Sequence, residues 1–323
     1  MSAPYLLRLL SISLAAFYLI HLVAGLLVSL LAPLAVRAAE HMRPREAARF
    51  LLALRLLPAS FAAAVVAGLC VPSYLWLEPA ASGEELGLAC LTSALLALAC
   101  AAIALARSWR AASRSLGYIR YCSMVGRRTC LGSEASPAWV VEGGKPFLVL
   151  AGIVHPRLMV SSQLVAALGA DQLAVAIRHE QAHRVSRDNL KRLLLLLAPD
   201  VAPFWRSFDA LERGWARFTE WAADDHAVAG DPRRSLSLAD ALVRVARLGA
   251  SAATPPLITS LLADDRDLQQ RVDRLLQEPR KMEERRRPLA VVIAAATVCA
   301  LFAAMLHPST FYSVHGLLEH LTR

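Results

Sequence analysis

LLSISLAAFYLIHLVAGLLVSLLAPLAV, residues 9–36, runs for 28 positions without an Asp, Glu, Lys or Arg. A helix needs roughly 20 apolar residues to cross a hydrocarbon core of about 30 Å, so this stretch reads as a membrane span. It exceeds a signal-peptide core, and no small-residue cleavage site leads from it into a soluble domain, so it is expected to be retained. Three more uncharged runs stand at 56–77, 86–106 and 288–306. Together they explain a chain of 323 residues that is 56% hydrophobic and only 19% charged, with a mean hydropathy of +0.45. A purely soluble enzyme, a disordered chain and a disulfide-built secreted domain are excluded.

The four spans leave one charged interval, 107–287, long enough to bury a core of its own. The expected fold class is therefore mainly α: four transmembrane helices (about 9–36, 56–77, 86–106 and 288–306) and a cytoplasmic domain of helices with a small β-sheet. A short external tail, 307–323, follows.

Orientation is read from basic residues, which cytoplasmic loops keep near span ends. Arg37, Arg43, Arg45 and Arg49 follow the first span, only Glu78, Glu84 and Glu85 lie between the second and third, and Arg107, Arg110, Arg114, Arg120, Arg127 and Arg128 follow the third. Arg280, Lys281, Arg285, Arg286 and Arg287 precede the fourth. Both termini are thus expected outside and the large interval inside, with Arg8 the one basic residue on the wrong side. The net charge of +9 is accounted for by these clusters and by anionic headgroups, so no nucleic-acid partner is expected. Basic residues number 35, only three of them lysine, a usage read as coding bias plus membrane anchoring and pointing to a bacterial inner membrane. The six cysteines include no C-x-x-C pair and read as small buried hydrophobes.

Within the interval, an Arg-rich helix over 109–121 is expected to continue out of the third span. Residues 137–141 and 146–150, separated by Gly143 and Gly144, carry a hairpin signal. Arg157, Leu158, Met159 and Val160 form another short strand, read as an edge on which an extended substrate adds by main-chain hydrogen bonds, or else as an ordinary structural edge. Ser161 or Ser162 caps a short helix through Leu168, and Asp171 a longer one through Leu197. Helical patterns follow at 203–230, 235–248 and 257–276. The run Leu193 to Leu197 is too short to span and reads as a buried helix face.

The chemistry begins on the 171–197 helix with His179, Glu180, Gln181, Ala182 and His183, an H-E-x-x-H. Positions four apart share a helix face, so both imidazoles can converge on one ion with Glu180 beside the same cleft. A catalytic zinc takes three protein ligands, keeps a position for water and needs a carboxylate to accept that water's proton. The pattern alone also suits a solvated amphipathic helix, so a third ligand decides. Thirty-seven residues after His183 stand Glu220, Trp221, Ala222, Ala223 and Asp224, an E-x-x-A-D. Glu220 completes a zinc shell, and Asp224, one turn later, can orient a ligand imidazole. Both could instead be surface acids, but Ala222 and Ala223 favour close helix packing. His226 reads as a surface or supporting residue, not a ligand, and Asp225 is unassigned.

The stretch PFLVLAGIVHPRLMVSSQL (146–164) followed by RHEQAHRVSRDNL (178–190) resembles the membrane-embedded antirepressor metallopeptidases of the BlaR/MecR type. Their strand, H-E-x-x-H helix and R-D-N-L continuation are matched in order, and E-x-x-A-D is similar to the wider class of HtpX and CAAX prenyl proteases. The resemblance implies a gluzincin-like peptidase domain with one Zn²⁺ on His179, His183 and Glu220 and with Glu180 as general base. Within LQQRVDRLL (268–276), Arg271 resembles a late arginine motif and is a candidate transition-state stabiliser. Alternatively it is a solvated helix arginine paired with Asp264 or Asp267. One departure is plain: such sensors carry an external penicillin-binding domain, and no S-x-x-K occurs here, since Glu142, Asp188 and Glu278 stand three before the lysines.

These features lead to the expectation of an integral membrane zinc metalloendopeptidase that cleaves a cytoplasmic or membrane-proximal protein in regulated signalling. Its partners would be a protein substrate such as a transcriptional repressor, membrane lipid, a separate sensor and a second copy in a homodimer. The competing readings are an HtpX-like quality-control protease and a noncatalytic transducer that retains the metal domain.

Overall fold

The computed structural model describes residues 3–77, 87–131, 136–143, 145–202, 205–249, 258–260 and 265–277, with 312, 313 and 316. The chain enters as α1 (Ala3–Ala39), turns in four residues and returns as α2 (Pro44–Val65), which passes through a π-helical turn (Val66–Cys70) into α3 (Val71–Leu77). Proline suits the first turn of a helix, where its missing N–H has no partner to lose, and Pro44 occupies that place. The third long helix, α4 (Leu88–Val125), leads into the sheet. Among the described residues three helices are thus long and apolar enough to cross a membrane: Tyr5–Ala39, Pro44–Leu77 and Leu88–Val125. The fourth expected span, 288–306, lies outside the described residues.

Residues 44–55, expected to connect the first two spans, are instead the first turns of α2. Arg45 and Arg49 face solvent while Ala47, Ala48 and Leu51 are buried, so the basic cluster marks one side of an amphipathic helix and not a loop. The Arg-rich extension expected beyond the third span is present as the second half of α4.

The remaining elements are β1 (Arg127–Leu131), β2 (Ser136–Val141), β3 (Leu148–Ala151), β4 (Arg157–Ser161), α5 (Ser162–Ala167), α6 (Ala170–Ser186), α7 (Asp188–Leu197), α8 (Asp209–Val228), α9 (Pro232–Arg247), β5 (Ile258–Ser260) and α10 (Asp265–Leu276). Sheet order is β1-β2-β4-β3-β5. The expected hairpin between 137–141 and 146–150 does not form: β4 inserts between them, parallel to β2 and antiparallel to β3. The tight turn lies later, at Gly152, whose φ of +118° a side chain would rarely adopt. For the same reason Arg157, Leu158, Met159 and Val160 are not an edge. Both hydrogen-bonding sides of β4 are occupied, which removes them as a strand on which substrate adds. The edges are β1, missed in the sequence, and β5, which lies where a helix was expected.

β3 and β4 are buried on both faces, as strands in a covered sheet must be. Leu148, Leu158 and Val160 face α6 and α9, whereas Val149 and Met159 face the end of α4 with Cys122, Tyr118 and Ile119. Alternation along each strand therefore clamps the sheet between α4 and the α6 layer. Ser161 caps α5, its hydroxyl accepting from Leu164 N at 3.3 Å, which settles the choice between the two serines. The long helix expected from Asp171 to Leu197 is broken at Arg187, which takes the left-handed conformation at φ 55° and separates α6 from α7. Of the leucine run, Leu195 is buried and Leu194 and Leu197 are exposed.

The domain is joined to the long helices by packing and by charge. α8 lies on the α1–α2 hairpin, where Leu211, Trp215 and Phe218 share a core with Ala35, Ala39, Ala47 and Leu51. Between α7 and α8 the chain passes under Arg55, which donates to Ala198 O at 3.0 Å and to Glu212 Oε1 at 2.9 Å and lies 4.3 Å from the Phe208 ring. Asp200 pairs with both Arg55 and, at 2.6 Å, Arg107.

Candidate metal centre

His179 and His183 stand on the same face of α6, one turn apart, with their Nε2 atoms 3.2 Å from each other. α8 crosses α6 and brings Glu220 between them: Oε2 is 3.3 Å from His179 Nε2 and Oε1 is 3.7 Å from His183 Nε2. Ala223 and Ala227 of α8 are buried, and Ala227 shares a core with Val175, Ala176 and Ile177 of α6. The three side chains are buried and form a group that could hold a metal ion, with their ligand atoms all within 4.8 Å of one another.

The outer nitrogen of each imidazole is met by a carboxylate. His179 Nδ1 is 2.9 Å from Asp224 Oδ1, and His183 Nδ1 is 2.8 Å from Asp188 Oδ2. A carboxylate at Nδ1 keeps the proton there and turns the Nε2 lone pair inward. Two inward lone pairs 3.2 Å apart, facing a carboxylate whose two buried oxygens make no hydrogen bond, supply no donor among themselves. Such a set favours positive charge, and a divalent cation fits it. With no metal ion, burial opposes charging of His183, yet the Glu220 charge and the Asp188 hydrogen bond prevail and raise the imidazole to about 10. Burial likewise opposes the Glu220 charge, and the His183 charge overcomes it and holds the carboxyl well below its ordinary value.

Asp188 had no role in the sequence reading, although it stands in R-D-N-L. The break at Arg187 makes that role: it starts α7 with Asp188 turned back toward α6, where Lys191 Nζ also donates to it at 2.8 Å. Asn189 then donates to Leu150 O at 3.0 Å and Gly152 O at 2.7 Å, pinning the start of α7 to the end of β3. Arg192 is a further residue not foreseen, its Nη2 3.7 Å from Glu220 Oε1.

The side chains of Asp264 and Asp267 lie outside the described residues, and Arg271 is not a solvated helix arginine. It is 3% exposed, donates through Nε and Nη2 to Asp224 at 2.9 and 2.7 Å, and places Nη1 3.3 Å from Glu220 Oε2. Burial opposes the Asp224 charge, but the guanidinium and the His179 ring outweigh it and bring the carboxyl down to about 2. This geometry makes Arg271 a positioning residue that holds Asp224 and Glu220. Glu180 is fully buried on α6, next in sequence to His179. Asp225 and His226 are exposed, and Asp225 pairs with Arg274 on α10. The site residues from α6, α8 and α10 are therefore brought together, whereas the β4 residues serve the sheet. No family model, curated protein or solved structure matches the chain.

Proposed function

We propose that this chain is a membrane-anchored zinc metalloendopeptidase. The observation that carries the reading is Glu180 buried beside a His179–His183–Glu220 set whose donors converge without a hydrogen-bond donor of their own. His179, His183 and Glu220 would hold the zinc, which supplies a polarised scissile carbonyl and a water of lowered pKa. Glu180 accepts the proton of the attacking water and returns it to the leaving amine. Asp224 and Asp188 keep both imidazoles in the ligating tautomer, and Arg271 fixes Asp224 and Glu220. Neutral nitrogen and carboxylate donors suit zinc over the harder magnesium or calcium, which prefer oxygen.

The regulated form of this reading, cleavage of a repressor or similar partner, is favoured over a quality-control protease by the packing of α8 on α1 and α2. The helix that carries Glu220 thus shares a core with the membrane-crossing pair, a route for a signal from the spans. Placement in a bacterial inner membrane with the domain inside is part of the proposal and is supported by the basic residues Arg107, Arg110 and Arg114 after the third apolar run.

The test is chelation and reconstitution of the purified full chain. Wild type should carry one zinc and hydrolyse casein, lose the activity with the metal and regain it on zinc addition, while Glu220→Ala should not retain zinc. A wild-type protein that takes up no zinc, or that retains zinc but hydrolyses nothing, contradicts the peptidase reading.

A further inference from the structure

The cavity beside the metal cluster carries a charge pattern that hydrolysis alone does not require. It has a volume of about 710 Å³, with His183 and Asp188 in one wall and Arg128 of β1, Arg157 of β4, and Arg184 and Arg187 at the end of α6 around it. None of these four guanidiniums forms an ion pair with a described residue. Five other arginines of the domain, Arg206, Arg213, Arg217, Arg234 and Arg274, each have a carboxylate within 4 Å. Among the described residues that line the cavity the one carboxylate is Asp188, already held by His183 and Lys191. Like charges gathered around a concave wall repel one another and focus a positive potential into it, which a negatively charged ligand relieves.

We propose that this cavity recognises an acidic peptide segment, seating Asp or Glu side chains of the substrate beside the bond presented to the metal cluster. The proposal rests on the peptidase reading and adds its substrate class. Guanidinium forks match carboxylates in shape and charge. A lipid headgroup is the other anion within a membrane protein's reach, but the cavity lies beyond the opposite end of α4 from its uncharged run 88–106. Arg128 follows α4, whose run from Arg107 to Val125 is about 27 Å. α7, packed along α4, leads from Asp188 at the cavity to Asp200 at Arg107, over about 15 Å of helix. Both distances exceed a screening length of about 8 Å at physiological salt.

The experiment uses the full chain in detergent micelles and a fluorescein-labelled peptide of alternating Glu and Ala, beside its Gln-for-Glu counterpart, read by fluorescence anisotropy. Wild type should prefer the Glu peptide by about tenfold, and Arg128→Gln/Arg157→Gln should reduce that ratio to about twofold with zinc content unchanged. Equal affinity for the two peptides, or a ratio that survives in the double variant, overturns the proposal. So does a double variant that loses binding to phosphatidylserine vesicles while keeping the peptide ratio, which would assign the arginines to headgroups. The two readings fail separately. The ratio without casein hydrolysis upholds the acidic-peptide cavity and removes the peptidase, whereas hydrolysis without the ratio does the reverse.

Discussion

His179 and His183 each face a different carboxylate at Nδ1, Asp224 from α8 at 2.9 Å and Asp188 from the start of α7 at 2.8 Å. Replacing either by Asn keeps the size but removes the charge that holds the proton on Nδ1. Zinc affinity should fall by about 10- to 100-fold in Asp188→Asn and in Asp224→Asn, measured by competition with a chromophoric chelator. Unchanged affinity in both would show that the carboxylates do not orient the ligands. Arg271 is judged by stability: Arg271→Met leaves Asp224 buried without its bidentate partner and should cost about 3–5 kcal/mol, seen as a lower Tm of the metal-free protein. A Tm equal to wild type would mean that the guanidinium holds nothing in place. His179, Glu180, His183, Glu220 and Asp224 were legible in the sequence because each motif lies within one helix, where spacing fixes direction. Asp188 was not, because its direction depends on a left-handed arginine at 187, a conformation that residue type does not announce.

Among the elements, the long apolar helices and the chain order of α6 and α8 could be read from periodicity and charge. Sheet order could not. β4 pairs in parallel with β2 across an intervening strand, and the Gly143–Gly144 signal gave a local hairpin where a non-local pairing prevails. The start of α2 was hidden because Arg45 and Arg49 look like loop charges until α8 covers the opposite face. The segment between α7 and α8 enters the groove at Gly25, where an added Cβ would meet Val201 Cγ2 at 2.5 Å and Phe208 Cζ at 3.3 Å. Gly25→Ala should therefore destabilise the protein by about 1–3 kcal/mol through overpacking, and Val201→Ala should restore part of the loss. Additive effects of the two substitutions in thermal unfolding would show that the segment does not sit in that groove.

At the scale of the whole molecule, the domain and the long helices form one packed body, joined by the α8 core on the α1–α2 hairpin and by Arg55 of α2 and Arg107 of α4 on Asp200. Residues 40–43, the turn of that hairpin, therefore lie at the same end of α1 and α2 as the domain, in agreement with the basic clusters that both carry. Cys130, exposed on the edge strand β1, reports the side. A membrane-impermeant maleimide should label it in inside-out vesicles and not in intact spheroplasts, and the opposite pattern would invert the proposed orientation. The central claim is that Glu180 performs hydrolysis at a metal held by its neighbours. The most direct test is the casein hydrolysis rate of Glu180→Gln beside wild type at equal bound zinc. The account predicts full zinc occupancy in both and a rate lower by about 10²- to 10⁴-fold in the variant. Equal rates per bound zinc would contradict it.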